Sequence, residues 1–173
     1  MKKHNKKGFT LIELMIVLAI IAILAVVLVP KAGQMKDNAR NAGVTTNVNA
    51  VRGTLEAKVV DTNYLGQADA TRSLLTNTFL NTGANALVNP FDATAKSIYG
   101  GITYAANSAV GGDSILVWDN HGQSVTQFAA NDKAAYKPDI ANKGLVCVYV
   151  YSDGYVVFGV DSTNTIVNQA IIK

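Results

Sequence analysis

The spacing of apolar residues divides the chain into three stretches. Residues 9–29, FTLIELMIVLAIIAILAVVLV, are apolar almost without interruption, with Glu13 as their single ionisable side chain. A helix of that length spans roughly 31 Å, about the hydrocarbon thickness of a bilayer. Beyond it, Met35, Ala39, Val44, Val48, Val51, Leu55 and Val59 recur at steps of mostly three to five, the spacing of one helical face. Asp37, Arg40, Asn47, Asn49, Arg52 and Lys58 occupy the positions between them. The two stretches read as one helix from about Phe9 to Val60, roughly 78 Å long, with Asp61-Thr62-Asn63 as its stop. Pro30 falls inside this helix. It lacks an N–H and predicts a kink or local opening, and Gly33 weakens the same turn.

Residues 62–113 are rich in Asn, Thr, Ala and Gly. They predict one short helix, Thr71–Leu80, with Leu74, Leu75 and Phe79 available for burial, and a break at Asn89-Pro90-Phe91. The last third turns to strands. Ser114–Trp118 is a short apolar strand, followed by a turn at Asp119-Asn120-His121-Gly122 and a return over Gln123–Phe128. Gly144–Tyr151 and Tyr155–Val160 are strongly β-forming around the hairpin signal Ser152-Asp153-Gly154, and Thr165–Ile172 reads as a closing strand. The expected fold class is α+β: a long N-terminal helix with a C-terminal antiparallel sheet lying on its outer half.

Composition narrows the function. At 173 residues there is room for one domain with an appendage. The 49% apolar content excludes a disordered chain, and the 16% charged content is low for a soluble domain. The net charge of +3 is local: Lys2, Lys3, Lys6 and Lys7 lie in the first seven residues, and from Pro30 onward eleven basic side chains balance eleven acidic ones. No electrostatic case for nucleic-acid binding follows. His4 and His121 are too few for a histidine metal site. Cys147, the single cysteine, sits in the middle of a strand and reads as a buried structural thiol. It cannot form an intrachain disulfide. Calcium is the one metal to weigh, with Asp113, Asp119, Asn120, Asp132 and Asp139 as oxygen donors, but none has ligand spacing. Tyr149, Tyr151, Tyr155 and Phe158 alternate across the last hairpin and read as sheet packing and surface tyrosines, with a ligand or partner surface as the alternative, and they lack the interleaved basic residues of a single-strand nucleic-acid surface. No catalytic constellation is present in the sequence, so the expectation is a non-enzyme without cofactor or metal.

The amino terminus decides between classes. A secretory signal peptide has a shorter apolar core and a small-x-small cleavage site, whereas Pro30-Lys31-Ala32-Gly33 follows here. A plain single-pass anchor, N-terminus inside, explains the lysines and the apolar run. It leaves Glu13 unexplained: a carboxylate at mid-membrane costs about 2.5–3.5 kcal/mol and less near the end. No basic side chain between Phe9 and Val29 compensates it.

The stretch KKGFTLIELMIVLAIIAILAVVLVP resembles the N-terminus of type IV pilin precursors: a short basic leader ending in Gly8, then Phe9, then Glu13, then an apolar run to Pro30. The resemblance covers about the first 30 residues closely and the following helix loosely. It implies that 1–8 is a leader, that a membrane prepilin peptidase cuts between Gly8 and Phe9, and that the same enzyme methylates the new Phe9 amine. It further implies 9–29 as a transmembrane and polymerisation helix and 30–173 as a head of type IV pilin fold. The ammonium released at Phe9 is then the counter-charge for Glu13 of another subunit, since pairing between chains relieves a costly buried carboxylate. The implied partners are further copies of the chain, the peptidase-methyltransferase, the assembly platform with its ATPase, and the membrane before assembly. The implied role is a structural, major subunit of a surface filament for adhesion, motility or DNA uptake. Two departures stand out: Ala22 where many such pilins have glycine, and the missing C-terminal disulfide. The alternatives are a pseudopilin of a secretion or competence system, and a membrane-anchored binding domain that never polymerises.

Overall fold

A computed structural model describes residues 8–61, 64, 66–79, 86–92, 97–101, 113–119, 123–126 and 143–173. The chain forms two compact units, Met1–Asn38 and Ala39–Lys173.

The first helix, α1, runs Leu11–Glu56 as one element, with helical backbone through position 30. It begins two residues later than expected because Thr10 caps it. It ends four residues earlier than expected. After Ala57 the backbone bonds shift to three-residue turns, from the Lys58 N–H to the Leu55 carbonyl (2.9 Å) and from the Asp61 N–H to the Lys58 carbonyl (2.9 Å). Thr62 and Asn63 lie outside the described residues.

In the second unit, Val44, Val48, Val51 and Leu55 of α1 are fully buried, as the periodic stripe predicts. The second helix, α2, spans Ala68–Phe79 and buries Thr71, Leu75 and Phe79, one face at four-residue spacing. Leu74 is only partly covered, and Leu80 lies outside the described residues.

Five strands follow: β1 Ser97–Gly101, β2 Asp113–Asp119, β3 Val146–Tyr151, β4 Gly154–Val160 and β5 Ile166–Ile172. They form a single sheet in the order β1-β2-β3-β4-β5. The α+β plan stands, but the sheet is mixed rather than antiparallel throughout. β3–β4 and β4–β5 are antiparallel hairpins, while β1–β2 and β2–β3 run parallel. The apolar run Ile115–Trp118 signals a strand without specifying its partner or direction. Parallel neighbours need long crossovers, and the segments between β1, β2 and β3 supply them. Among the described residues the expected return over Gln123–Phe128 is not a strand: Gln123 and Ser124 are irregular and Val125 and Thr126 have helical backbone, while Gln127, Phe128 and Asn120–Gly122 lie outside the described residues. β1 was not anticipated. With two glycines in five residues it carries little strand signal of its own, and it exists as an edge paired to β2.

Both faces of β3 and β4 are buried. On one, Ile115, Val117, Val146, Val148, Val150, Tyr155, Val157 and Ile172 pack with the α1 stripe, Leu75 and Phe79. On the other, Leu145, Cys147, Tyr149, Tyr151, Val156, Phe158 and Val160 form a second core with Val125. Tyr149 stacks on Phe158 (5.3 Å between centroids) and meets Trp118 edge-on (6.5 Å). The four aromatic residues singled out in the last hairpin are thus interior packing groups. The hairpin turn is fastened from outside: Asp153 accepts hydrogen bonds from the Ser124 hydroxyl (2.6 Å) and the Val125 N–H (2.7 Å).

Candidate functional site at the amino terminus

The apolar segment is the feature that the folded chain leaves unsatisfied. Large side chains from Phe9 to Val29 are all exposed, from 47% at Val17 to 85% at Phe9. The helix is long and apolar enough to cross a membrane, with a mean hydropathy of 3.2 in its most apolar window. Exposed apolar surface on this scale marks a lipid-facing or protein-facing surface.

Gly8, Phe9 and Thr10 precede the helix in irregular backbone, and a side chain at position 8 would meet nothing within 4 Å. Gly8 and Phe9 are therefore exposed, non-helical chain. Thr10 and Glu13 then close the helix start in a reciprocal capping box. The Thr10 N–H donates to Glu13 Oε2 at 2.8 Å, the Thr10 hydroxyl donates to the same oxygen at 2.7 Å, and the Glu13 N–H donates to Thr10 Oγ1 at 3.3 Å. The carboxylate also lies at the positive end of the helix dipole. The expectation that the apolar segment holds no partner for Glu13 is thereby revised: no cation lies in it, but two neutral donors of Thr10 do. The signal was in the sequence, as Thr10-Leu11-Ile12-Glu13 has the T-x-x-E spacing of a capping box. The leader residues 1–7, with His4 and the four lysines, lie outside the described residues.

The other chemistry considered from sequence lies elsewhere. Cys147 is buried on the sheet face away from α1, and burial pushes its thiol up to about 12, where it is not a nucleophile at neutral pH. Among the described residues, no group of three His, Cys, Asp or Glu side chains is placed to hold a metal. Asp113 and Asp119 begin and end β2, and Asn120, His121, Asp132 and Asp139 lie outside the described residues.

Residues 3–29 match the family model described as the prokaryotic N-terminal methylation motif. The chain is 32% identical to the type IV wide pilus major component PilA4 of Thermus thermophilus, over 80% of this chain and 92% of that protein. It is 33% identical to the type IV major fimbrial protein FimA of Dichelobacter nodosus, over 79% of this chain and 80% of that protein. It is 32% identical to prepilin peptidase-dependent protein A of Clostridium perfringens, over 72% of this chain and 86% of that protein. No solved structure gives a significant match. These alignments run well past the methylation motif into the helix-and-sheet head, so the likeness is to whole pilins and not to a shared leader alone: the chain belongs to the type IV pilin family.

Proposed function

We propose that this chain is a structural subunit, of the major class, of a type IV pilus, and that it polymerises through its N-terminal helix. The observation that carries this reading is the uncovered apolar helix headed by a single carboxylate, in a chain whose relatives are named as major pilus and fimbrial proteins. Before assembly, lipid covers 9–29, with the leader lysines on the inner side of the membrane. The prepilin peptidase cuts between Gly8 and Phe9, whose exposed, non-helical backbone suits entry into a protease cleft. The same enzyme methylates the Phe9 amine, which keeps its positive charge. The assembly platform and its ATPase then move the subunit from lipid into a filament of further copies. There Glu13 of one subunit faces the Phe9 ammonium of another, and 30–173 is the exposed head. Pro30 gives the helix a place to bend between the two regions. A structural role accords with the buried thiol and with two sheet faces spent on packing.

The test is mass spectrometry of sheared surface fibres together with a charge variant. The fibre chain begins at Phe9 and carries one added methyl on its amine. Gly8→Val leaves precursor in the membrane. Glu13→Gln is inserted and cleaved but assembles poorly, because the shape is kept and the charge removed. A fibre chain starting at Met1, or cut after Ala25 or Ala32, overturns the reading.

A further inference from the structure

We propose that Thr10 is the positioning residue of the assembly contact: its hydroxyl holds the Glu13 carboxylate in one orientation, with one oxygen committed and the other open to a neighbouring subunit's amine. The proposal rests on the reading above that Glu13 pairs with Phe9 of another copy, and it adds the residue that prepares Glu13 for this.

The geometry supplies the argument. Both donors of Thr10 converge on the same oxygen, Oε2. The other oxygen, Oε1, takes no hydrogen bond from the described residues. A glutamate on an exposed helix face loses most of its rotamer freedom when it forms a contact. Here that freedom is already restricted before a partner arrives, so the contact forms from a pre-organised group. The capping box also shields a carboxylate that enters the apolar phase without a counter-ion, because neutral donors reduce the cost of burying a charge. Maturation does not disturb it. Cleavage between Gly8 and Phe9 leaves the Phe9–Thr10 peptide intact, so the Thr10 N–H and hydroxyl both persist in the mature chain. The ammonium created at Phe9 lies one residue ahead of the cap, where a neighbour can reach it. The open oxygen keeps its lone pairs free for an ammonium of a neighbouring subunit.

The experiment compares Thr10→Val, Thr10→Ser and Glu13→Gln in the full-length chain, expressed from cells that otherwise lack it. Sheared fibre mass and the N-terminal mass of the membrane pool are read for each. Thr10→Val keeps the shape and the N–H but lacks the hydroxyl. It is cleaved and methylated as wild type, and fibre yield falls about tenfold or more, the scale of one lost charge-assisted hydrogen bond. Thr10→Ser restores the hydroxyl and returns most of the yield, which separates a bond from mere packing. Glu13→Gln fails to assemble in parallel. If Glu13→Gln fails and Thr10→Val assembles normally, the positioning role falls while the charge pair stands. If Glu13→Gln assembles normally, the charge pair falls and the positioning role with it. Equal loss in the valine and serine variants, or uncleaved Thr10→Val precursor, also overturns the proposal, assigning Thr10 to packing or to the peptidase.

Discussion

Gly159 of β4 lies directly beneath Val44 of α1. A Cβ at position 159 would collide with the Val44 Cγ1 methyl and come within 2.9 Å of the Val48 side chain. The missing side chain is what lets the second unit's helical stripe settle onto the sheet beside Val157, which lies in the same core and is fully buried. Gly159→Ala is therefore an overpacking change in a filled core, expected to cost about 1–3 kcal/mol. Thermal unfolding of the detergent-solubilised chain, followed by near-UV circular dichroism, should show a Tm lower by several degrees. Gly159→Val should be worse, and a wild-type Tm for the valine variant contradicts the packing.

Asn89 fastens the segment that joins the helices to the sheet. Its Nδ2 donates to the Lys143 carbonyl (2.8 Å) and its Oδ1 accepts from the Phe91 N–H (2.8 Å). Gly144 sits under it with φ +84°, a conformation suited to glycine, and leaves no space for a side chain against Asn89. Asn89→Ala removes both bonds in a buried setting and should destabilise the head by about 2–4 kcal/mol. Gly144→Ala should be comparable, through strain and collision. Denaturant midpoints for the two variants check this, and near-wild-type midpoints refute it.

Cys147 should be silent in the folded protein. Its thiol is buried among Tyr149, Phe158 and Val156 on the second sheet face, with burial holding it at about 12. At pH 8 the folded chain should resist thiol reagents for hours and react at once in strong denaturant. Rapid labelling without denaturant, read by intact mass, indicates that the second core opens readily.

The acid limb of stability should carry a contribution from Asp153. The Ser124 hydroxyl and then the Val125 N–H hold its carboxyl below the ordinary value of 3.8. A depressed carboxyl stabilises the fold above its unfolded value and loses that contribution as pH falls through the folded one. Asp161 acts with the same sign: burial pushes its carboxyl up, but hydrogen bonds from the Thr165 N–H and from Thr163 outweigh it. Asp153→Asn should therefore lower stability by less than about 1 kcal/mol at pH 6, since the group is exposed. It should also shrink the further loss as pH falls below the ordinary carboxyl value of 3.8. Unfolding midpoints across that range test the sign, and an unchanged acid limb counts against it.

Much of the fold was legible because it is local. An unbroken apolar run of helix length, a three-to-four-residue stripe at Val44, Val48, Val51 and Leu55, and a turn signal at Ser152-Asp153-Gly154 each report on neighbours along the chain. Even the two-sided burial of β3 and β4 was written in the runs Leu145–Tyr151 and Tyr155–Val160. They are apolar at nearly every position, as strands covered on both faces are. The capping pair Thr10 and Glu13 was equally local, and its spacing was there to be read.

What depends on residues far apart in sequence was decided only in three dimensions. The direction of β2 between β1 and β3, and the recruitment of the glycine-rich β1, follow from which edges meet. Backbone hydrogen bonds are available to either orientation, and side-chain pattern does not distinguish them. The same holds for Gly159 under Val44, Asn89 over Gly144 and Asp153 on Ser124. Each is a small or polar residue of ordinary appearance whose role is set by the atom that tertiary packing brings against it. The amino-terminal chemistry is the opposite case. Glu13, Phe9 and Gly8 lie within six residues of one another, so the sequence alone defines the motif, and the Thr10–Glu13 cap that completes it is equally local.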